Sequence, residues 1–170
     1  MRFYYDVFNT GFGWYAVVFS DKGLRYASMK SSSEEAVRYL SSCTESYICE
    51  RRIMLDVRRV VQDFLDGKRY ALGQIKLDLQ GAPAFYEACW KACRSIPLGE
   101  TRTYSWIANQ AGSAGASRAA GQAMARNWIP IIVPCHRVIS SNGTLNGYGL
   151  GGPSVKRCLL EIELKLKDLD

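Results

Sequence analysis

Residues 103–126 read TYSWIANQAGSAGASRAAGQAMAR, and this stretch decides the fold of the C-terminal half of the 170-residue chain. Apolar residues at helical spacing predict a first helix from near Thr103 to Gln110. Gly112 and Gly115 indicate a turn, and a second helix of about ten residues is predicted over 117–126. Two short helices joined by a tight turn are typical of a helix-turn-helix.

The second predicted helix is rich in alanine and glycine, which surround Arg118, Gln122 and Arg126. These three longer side chains share one face because they are four residues apart. Small residues let a helix approach another surface closely, so this face is a candidate contact with a ligand. Alternatively, the alanines pack the helix tightly against its own protein.

Positive charge is concentrated in the same half of the chain. The net charge is +6, and residues 101–157 contain six lysines and arginines but no aspartate or glutamate. Cations without counter-charges favour binding of a polyanion, of which nucleic acid is the commonest in a cell. A basic face that only keeps the protein in solution is the alternative.

The first 80 residues predict an α/β unit. Alternating aromatic and polar residues around turns at 9–11 and 21–23 predict two or three antiparallel strands joined by hairpins. Ser33 is a candidate N-cap for a helix, and a second helix is predicted from about Arg52 until Gly67. A short strand is expected where Ile75, Leu77 and Leu79 alternate.

The Gln-Gly-Ala-Pro sequence at 80–83 marks the predicted boundary between a domain of residues 1–80 and a mostly helical domain of residues 81–170. There Pro97 ends a first helix, whose apolar stripe is Phe85, Ala88, Cys89, Ala92 and Ile96. The last helix is predicted to start at Pro153, with an inward stripe of Val155, Cys158, Leu159, Ile162, Leu166 and Leu169. Glu163 lies on the flank of that stripe, where its carboxylate either finds a partner or reaches water.

The six cysteines and the single histidine limit the chemistry. One histidine and the lack of a Cys-x-x-Cys pair argue against a zinc site. A disulfide between Cys43 and Cys49 is an open alternative to free thiols. Because neither a signal peptide nor a long apolar run is found, we expect a cytoplasmic protein without a membrane partner.

Residues 131–139 read IIVPCHRVI, an apolar run interrupted by reactive and charged side chains. Pro134 lacks an amide donor and favours an extended residue before it, so Cys135 is expected at a bend. A cysteine beside the only imidazole is a candidate activated nucleophile, because a nearby base favours the reactive thiolate.

The PCHRV sequence at 134–138 is similar to the active-site motif of the O6-alkylguanine-DNA alkyltransferases. Further motifs of that family follow in the same order, and the resemblance covers roughly residues 83–163. They are Gly99-Glu100 with Thr103-Tyr104, residues 116–119, Arg126-Asn127, residues 146–148, Val155-Lys156 and Leu159-Leu160. The N-terminal domain resembles the family in the order of its strands and helices, which implies a ribonuclease H-like arrangement.

This resemblance implies a methylated-DNA-[protein]-cysteine S-methyltransferase that reverses DNA damage directly. It moves an alkyl group from O6-alkylguanine in duplex DNA to its own cysteine, once and irreversibly, after the nucleotide is flipped out through the minor groove. The implied protein is a monomer that needs no cofactor or metal.

The resemblance also implies a role for individual residues. Cys135 is the alkyl acceptor, His136 the base that acts on it through water, and Glu163 the carboxylate that orients the imidazole. Tyr104 donates a proton to the guanine ring, and Asn127 is the hinge between the recognition helix and the active-site turn.

The remaining implied residues contact DNA or the alkyl group. Arg118 enters the base stack in place of the flipped nucleotide. The other predicted DNA contacts are Thr103, Ser117, Ala119, Gln122 and Arg126. The predicted alkyl pocket is formed by Met124, Val138, Tyr148, Gly149 and Leu150.

Two other classes of protein fit parts of the pattern. A cysteine hydrolase with a Cys-His-Glu triad would turn over its substrate and would leave Arg118 unexplained. A pure binding module, either a transcription factor or a protein that recognises damaged bases without repairing them, would not need Cys135.

Overall fold

The computed structural model describes residues 2–43, 55–68 and 72–168. The chain divides into two compact units, Met1–Leu79 and Gln80–Asp170. Among the described helices, none is long and apolar enough to cross a membrane.

The first unit is built on a three-stranded antiparallel sheet in the order β1 (Phe3–Thr10), β2 (Gly13–Ser20) and β3 (Gly23–Lys30). Thr10 pairs with Gly13 and Ser20 with Gly23, so both connections are tight hairpins, as predicted. Gly23 has a positive φ of 149°, and a Cβ there would lie 2.5 Å from the carbonyl oxygen of Lys76. Only glycine fits this turn.

Helices α1 (Ser33–Cys43) and α2 (Leu55–Leu65) belong to the same unit. Ala36 and Leu40 of α1 pack on the sheet, and α2 is tied to β1 by an ion pair of 2.8 Å between Arg58 and Asp6. The predicted cap of α1 is wrong by one residue, because the hydroxyl that accepts the Glu35 N–H, at 3.2 Å, belongs to Ser32.

Two predictions in this unit fall partly on residues that the structure does not describe. The predicted start of the second helix, at Arg52, lies outside the described residues. Cys43 is a free thiol that donates to the carbonyl of Tyr39 at 3.3 Å, and its suggested disulfide partner Cys49 also lies outside the described residues.

The predicted strand at 75–79 is wrong. A single turn of 3-10 helix, Leu72–Gln74, is followed by one isolated bridge between Leu77 and Leu24. The next residue, Asp78, is buried, and its carboxylate accepts hydrogen bonds from Ser20 at 2.6 Å and Arg25 at 3.1 Å. A buried carboxylate is fixed by its donors, so these side-chain contacts add to the two backbone hydrogen bonds that Leu24 makes with Lys76 and Asp78.

The second unit contains α3 (Ala84–Arg94), β4 (Arg102–Thr103), α4 (Tyr104–Gln110), α5 (Ser117–Ala125), β5 (Val138–Ile139) and α6 (Gly152–Lys167). The short strands β4 and β5 are parallel, with Arg102 opposite Val138. This pairing brings the start of α4 beside the segment that follows Cys135.

The core of the second unit differs from the predicted stripes on two helices. On α3, Trp90 and Cys93 are fully buried along with Cys89, and the Trp90 indole donates to the carbonyl of Ala123 at 2.8 Å. On α6 the inward residues are Lys156, Leu159, Glu163 and Leu166. Cys158, predicted to face inward, is exposed, and Leu169 lies outside the described residues.

Candidate active site

Cys135 begins a single turn of 3-10 helix, Cys135–Arg137, directly after Pro134. The side-chain amide of Asn127 donates to the Cys135 sulfur at 3.1 Å and to the carbonyl of Val133 at 2.9 Å. Its oxygen accepts the N–H of Ile129 at 3.0 Å. One asparagine therefore joins the residues after α5 to the turn that carries the cysteine, which agrees with the expected bend.

Burial controls the reactivity of this thiol, because Cys135 is 6% exposed. Burial raises the pKa of Cys135, whereas the Asn127 hydrogen bond and the charge of Lys156 lower it, and the net direction is upward. The neutral thiol is therefore the resting form. Since the thiolate is the nucleophile, the site needs a base.

His136 and Glu163 form a fully buried pair with 2.6 Å between Nε2 and Oε1. Burial lowers the pKa of His136, so its imidazole is neutral near pH 7. Burial raises the pKa of Glu163, but the hydrogen bond from His136 and the charge of Arg137 more than reverse this effect and leave the pKa below its usual value. An ionised carboxylate only accepts, so Nε2 carries the proton and Nδ1 is the basic nitrogen.

Glu163 is held by further donors that the sequence did not reveal. Arg137 Nε lies 2.9 Å from both carboxylate oxygens, and the Gly99 N–H donates to Oε2 at 3.1 Å. The guanidinium of Arg137 also donates to the carbonyl of Ile96 at 2.5 Å. The carboxylate predicted to need a partner thus has three donors, including His136, which fix it in one orientation.

Lys156 is a second buried cation, and its burial was not predicted from the sequence. Its ammonium donates to the carbonyl of Val138 at 2.6 Å. A usable signal was present, because Lys156 lies seven residues before Glu163 and so shares its helical face. Hydrophobic periodicity placed Glu163 on the flank of the apolar stripe and did not include Lys156 in the stripe.

Tyr104 is the first residue of α4 and is half-buried, with its ring 3.9 Å from a Cβ built on Gly121 of α5. Burial raises the pKa of its hydroxyl, and so does the nearby Cys135. The structure therefore brings this predicted site residue within electrostatic range of the sulfur.

The predicted pocket residues Met124, Val138, Tyr148 and Leu150 are buried, whereas Gly149 is exposed. The rings of Tyr148 and His136 meet edge to face, with their centroids 6.3 Å apart. Tyr148 also lowers the pKa of Cys135, as a lesser effect. These contacts connect the loop before α6 to the cysteine and histidine.

Helix α5 has two distinct faces, and the packing interpretation of its alanines holds for the inner face. Ala120, Ala123 and Met124 are buried against the protein. The predicted contact residues Arg118, Ala119, Gln122 and Arg126 are exposed. Among the other predicted contacts, Ser117 opens α5, and the Thr103 hydroxyl caps α4 by accepting the Trp106 N–H at 3.2 Å.

Within the described residues, no group of three or more histidines, cysteines or carboxylates is placed to hold a metal ion. The site consists of a buried thiol, a neutral imidazole and an ionised carboxylate beside a helix with an exposed basic face. This combination defines a class of protein in which a cysteine, activated by a neighbouring base, reacts with a polyanionic substrate.

Comparison with known proteins makes this class specific. Residues 84–165 match the DNA binding domain of 6-O-methylguanine DNA methyltransferase. A methylated-DNA–protein-cysteine methyltransferase of Methanosarcina acetivorans is 34% identical over 160 residues, which cover 94% of this chain and 97% of that protein. This chain therefore belongs to the O6-alkylguanine-DNA alkyltransferase family.

Other relatives resemble the chain in part or in whole. The methylated-DNA–protein-cysteine methyltransferase of Mycobacterium bovis is 55% identical over 89 residues, so the match spans 53% of that protein and 52% of this chain. The crystal structure of Mycobacterium tuberculosis O6-methylguanine methyltransferase has a TM-score of 0.78 at 32% identity, covering 99% of this chain and all of that one. A structure of the tuberculosis protein in complex with DNA has a TM-score of 0.69 at 32% identity, covering 96% and 94% of the two chains.

Proposed function

We propose that this protein repairs DNA by moving the alkyl group of O6-alkylguanine in a duplex onto Cys135, once per chain. The observation that carries the proposal is the buried thiol that Asn127 holds at 3.1 Å, next in the chain to the His136–Glu163 pair. The relatives bear the name of this activity, and one tuberculosis structure contains DNA.

The first step is loss of the thiol proton. The basic Nδ1 of His136 takes the proton from Cys135 through a water molecule, and Glu163 stabilises the imidazolium through the 2.6 Å contact. Arg137 and Gly99 keep the carboxylate in place during this step. General acid–base catalysis of this kind raises the rate by about 10²–10⁴-fold.

The second step transfers the alkyl group. The thiolate attacks the alkyl carbon, so an S–C bond forms while the C–O bond to guanine breaks and its electron pair stays on the base. Tyr104 protonates this anion, and the proton held by His136 then restores the tyrosine. The product at Cys135 is a thioether, which water does not readily cleave, so the protein is consumed.

The damaged base must leave the duplex before the thiol can reach it. Flipping a nucleotide costs a few kcal/mol. Arg118 offsets this cost by filling the vacated stack, while Thr103, Ser117, Ala119, Gln122 and Arg126 contact the flanking DNA. The exposure of Arg118, Ala119 and Gln122 on α5, and of Arg126 directly after it, supports this arrangement.

The alkyl group itself is received by a largely buried set of side chains. We assign this pocket to Met124, Val138, Tyr148, Gly149 and Leu150. The burial of all of these except Gly149 supports an apolar environment for the alkyl group. An apolar surround also excludes water from the transfer.

The two domains have different roles in this proposal. Residues 1–80 form an α/β domain of ribonuclease H-like arrangement, and residues 81–170 form the DNA-binding and alkyl-acceptor domain. Within the latter, α4 and α5 act as a helix-turn-helix, with α5 as the recognition helix. The protein works as a monomer in the cytoplasm, where it meets the nucleoid.

Mass spectrometry of cysteine peptides after incubation with an O6-methylguanine duplex tests the proposal. We expect one added methyl group on Cys135. Cys135→Ala should bind the same duplex without repairing it, and the matched variant Cys158→Ala, which removes an exposed thiol, should repair normally. Repair by Cys135→Ala would contradict the assignment.

The same measurement separates the other two classes. A hydrolase would leave Cys135 unmodified after many turnovers, and a protein that only recognises damage would bind tightly with no added mass. Either result would reject alkyl transfer.

A further inference from the structure

Lys156 is a buried lysine on the inner face of α6, with only 1% of its surface exposed. Its ammonium donates to the Val138 carbonyl oxygen at 2.6 Å. A carbonyl is polar but carries no net charge, so this contact satisfies a donor without neutralising the cation. Burying a charge is costly unless an opposite charge compensates it.

The described buried charges of the second unit do not balance. Arg137 and Lys156 are cations, Glu163 is the one carboxylate among them, and His136 is neutral. Glu163 is already bound by Arg137 at 2.9 Å. In the thiol form, Lys156 is therefore left as an excess positive charge.

The 2.6 Å contact with Val138 places the ammonium against the residue that directly follows the Cys135–Arg137 turn. Burial lowers the pKa of Lys156, and the sulfurs of Cys135 and Cys93 oppose this effect in part. The interaction is mutual, because the charge of Lys156 favours the ionised form of Cys135. Cys93 is fully buried on α3, and burial raises its pKa well above the usual value, so it stays neutral. Cys135 is the thiol that ionises in the proposed reaction.

We propose that Lys156 is the counter-ion of the Cys135 thiolate, a positioning residue that favours ionisation of the sulfur by its charge and does not touch the alkyl group. This role rests on the proposed alkyl transfer for its purpose, but the pairing of the two residues is testable without DNA. His136 removes the proton, and Lys156 lowers the cost of the negative charge that remains.

Other titratable groups of the same site have to be distinguished from Lys156. They are Cys93 of α3, Tyr104 of α4, His136 and Arg137 of the cysteine turn, Tyr148 of the following loop, and Glu163 of α6. Arg137 and Glu163 balance each other, and raised pKa values keep Cys93 and Tyr104 neutral. Lys156 is the cation among them that has no carboxylate partner.

The test compares Lys156→Gln with Lys165→Gln. Lys156→Gln keeps a donor for the Val138 carbonyl but removes the charge, and Lys165→Gln removes an exposed charge from the same helix. Thiolate formation at Cys135 is followed by ultraviolet absorbance against pH, as the difference from the same protein with Cys135→Ser. We expect the Cys135 midpoint to rise by about one pH unit in Lys156→Gln, with about tenfold slower methyl transfer at pH 7.

Lys156→Arg restores the charge and should recover part of both effects, whereas Lys165→Gln should change neither. An unshifted midpoint in folded Lys156→Gln would overturn the proposal even if transfer slowed. If the midpoint shifts but the unmodified protein accepts no methyl from an O6-methylguanine duplex, the proposed function fails and the ion pair stands.

A reciprocal measurement leaves Lys156 intact, in case its variants do not fold. Cys135→Ser removes the ionisable sulfur, so the Lys156 ammonium should titrate at lower pH than in the unmodified protein when followed by NMR. An identical titration in the two proteins would exclude the pairing.

Discussion

The side-chain amide nitrogen of Asn127 contacts both the sulfur of Cys135, at 3.1 Å, and the carbonyl oxygen of Val133, at 2.9 Å. The same side chain accepts the Ile129 N–H. The geometry of the cysteine turn and the reactivity of its thiol therefore depend on one residue that follows α5.

Asn127→Ala should slow methyl transfer by about tenfold or more, because it removes a hydrogen bond that favours the thiolate. It should also lower the free energy of unfolding by about 1–3 kcal/mol, since the Val133 and Ile129 backbone groups lose a partner. Single-turnover kinetics and chemical denaturation measure the two effects. Asn9→Ala, an exposed asparagine of the first unit, is the control, and equal behaviour of the two variants would contradict the role.

Glu163→Gln should be strongly destabilising, because it leaves the buried Arg137 cation without its carboxylate. Removing one partner of a buried ion pair costs about 3–5 kcal/mol. Glu161→Gln changes an exposed residue of the same helix and should have little effect. Thermal unfolding of both variants gives the comparison. Equal melting temperatures for Glu163→Gln and Glu161→Gln would show that the charge of Glu163 does not stabilise the fold.

Acid should destabilise the protein in two stages. His136 has a lowered pKa in the folded protein, so its contribution is lost as pH falls below the ordinary value of 6.5. Glu163, whose pKa is also lowered, stabilises the fold above its ordinary value of 4.5, and this contribution is lost as pH falls further. Both effects have the same sign.

The first stage can be assigned because His136 is the only histidine in the chain. Denaturation of the unmodified protein at a series of pH values should show stability falling from about pH 6.5. His136→Gln should lack that first loss and keep the second. If stability falls in the same way from about pH 6.5 in the unmodified protein and in His136→Gln, then His136 is not the source of the first loss.

Arg118→Ala should slow methyl transfer from duplex DNA by about tenfold or more, because nothing then fills the vacated stack. Reaction with free O6-methylguanine base should be unchanged, since no flipping is needed. Arg59→Ala removes an exposed charge from α2 and serves as the control. A loss with the free base as large as with the duplex would assign Arg118 to the chemistry instead.

Elements with local signals were predictable from the sequence. The hairpins at Gly13 and Gly23 follow turn residues, and α4, α5 and α6 follow helical spacing with a Thr103 cap and Pro153 near the start of α6. These features depend on neighbouring residues alone, so no tertiary contact is needed to infer them.

What the sequence did not predict depends on distant partners. Arg137 is buried because its guanidinium donates hydrogen bonds to the carbonyl of Ile96 and the carboxylate of Glu163. These two residues lie 41 and 26 positions away in the chain. Lys156 similarly faces inward because its ammonium donates a hydrogen bond to the carbonyl of Val138. Polar residues with remote partners break the apolar pattern, which is why the predicted inner stripe of α6 included Leu159 and Leu166 correctly but contained Cys158 and omitted Lys156.

The central claim is tested most directly by counting methyl groups transferred from an O6-methylguanine duplex in excess over the protein. We expect one methyl group per chain, retained on the Cys135 peptide with no further turnover. Methyl groups released in excess of the protein, or a stable methyl group on a different cysteine, would contradict it.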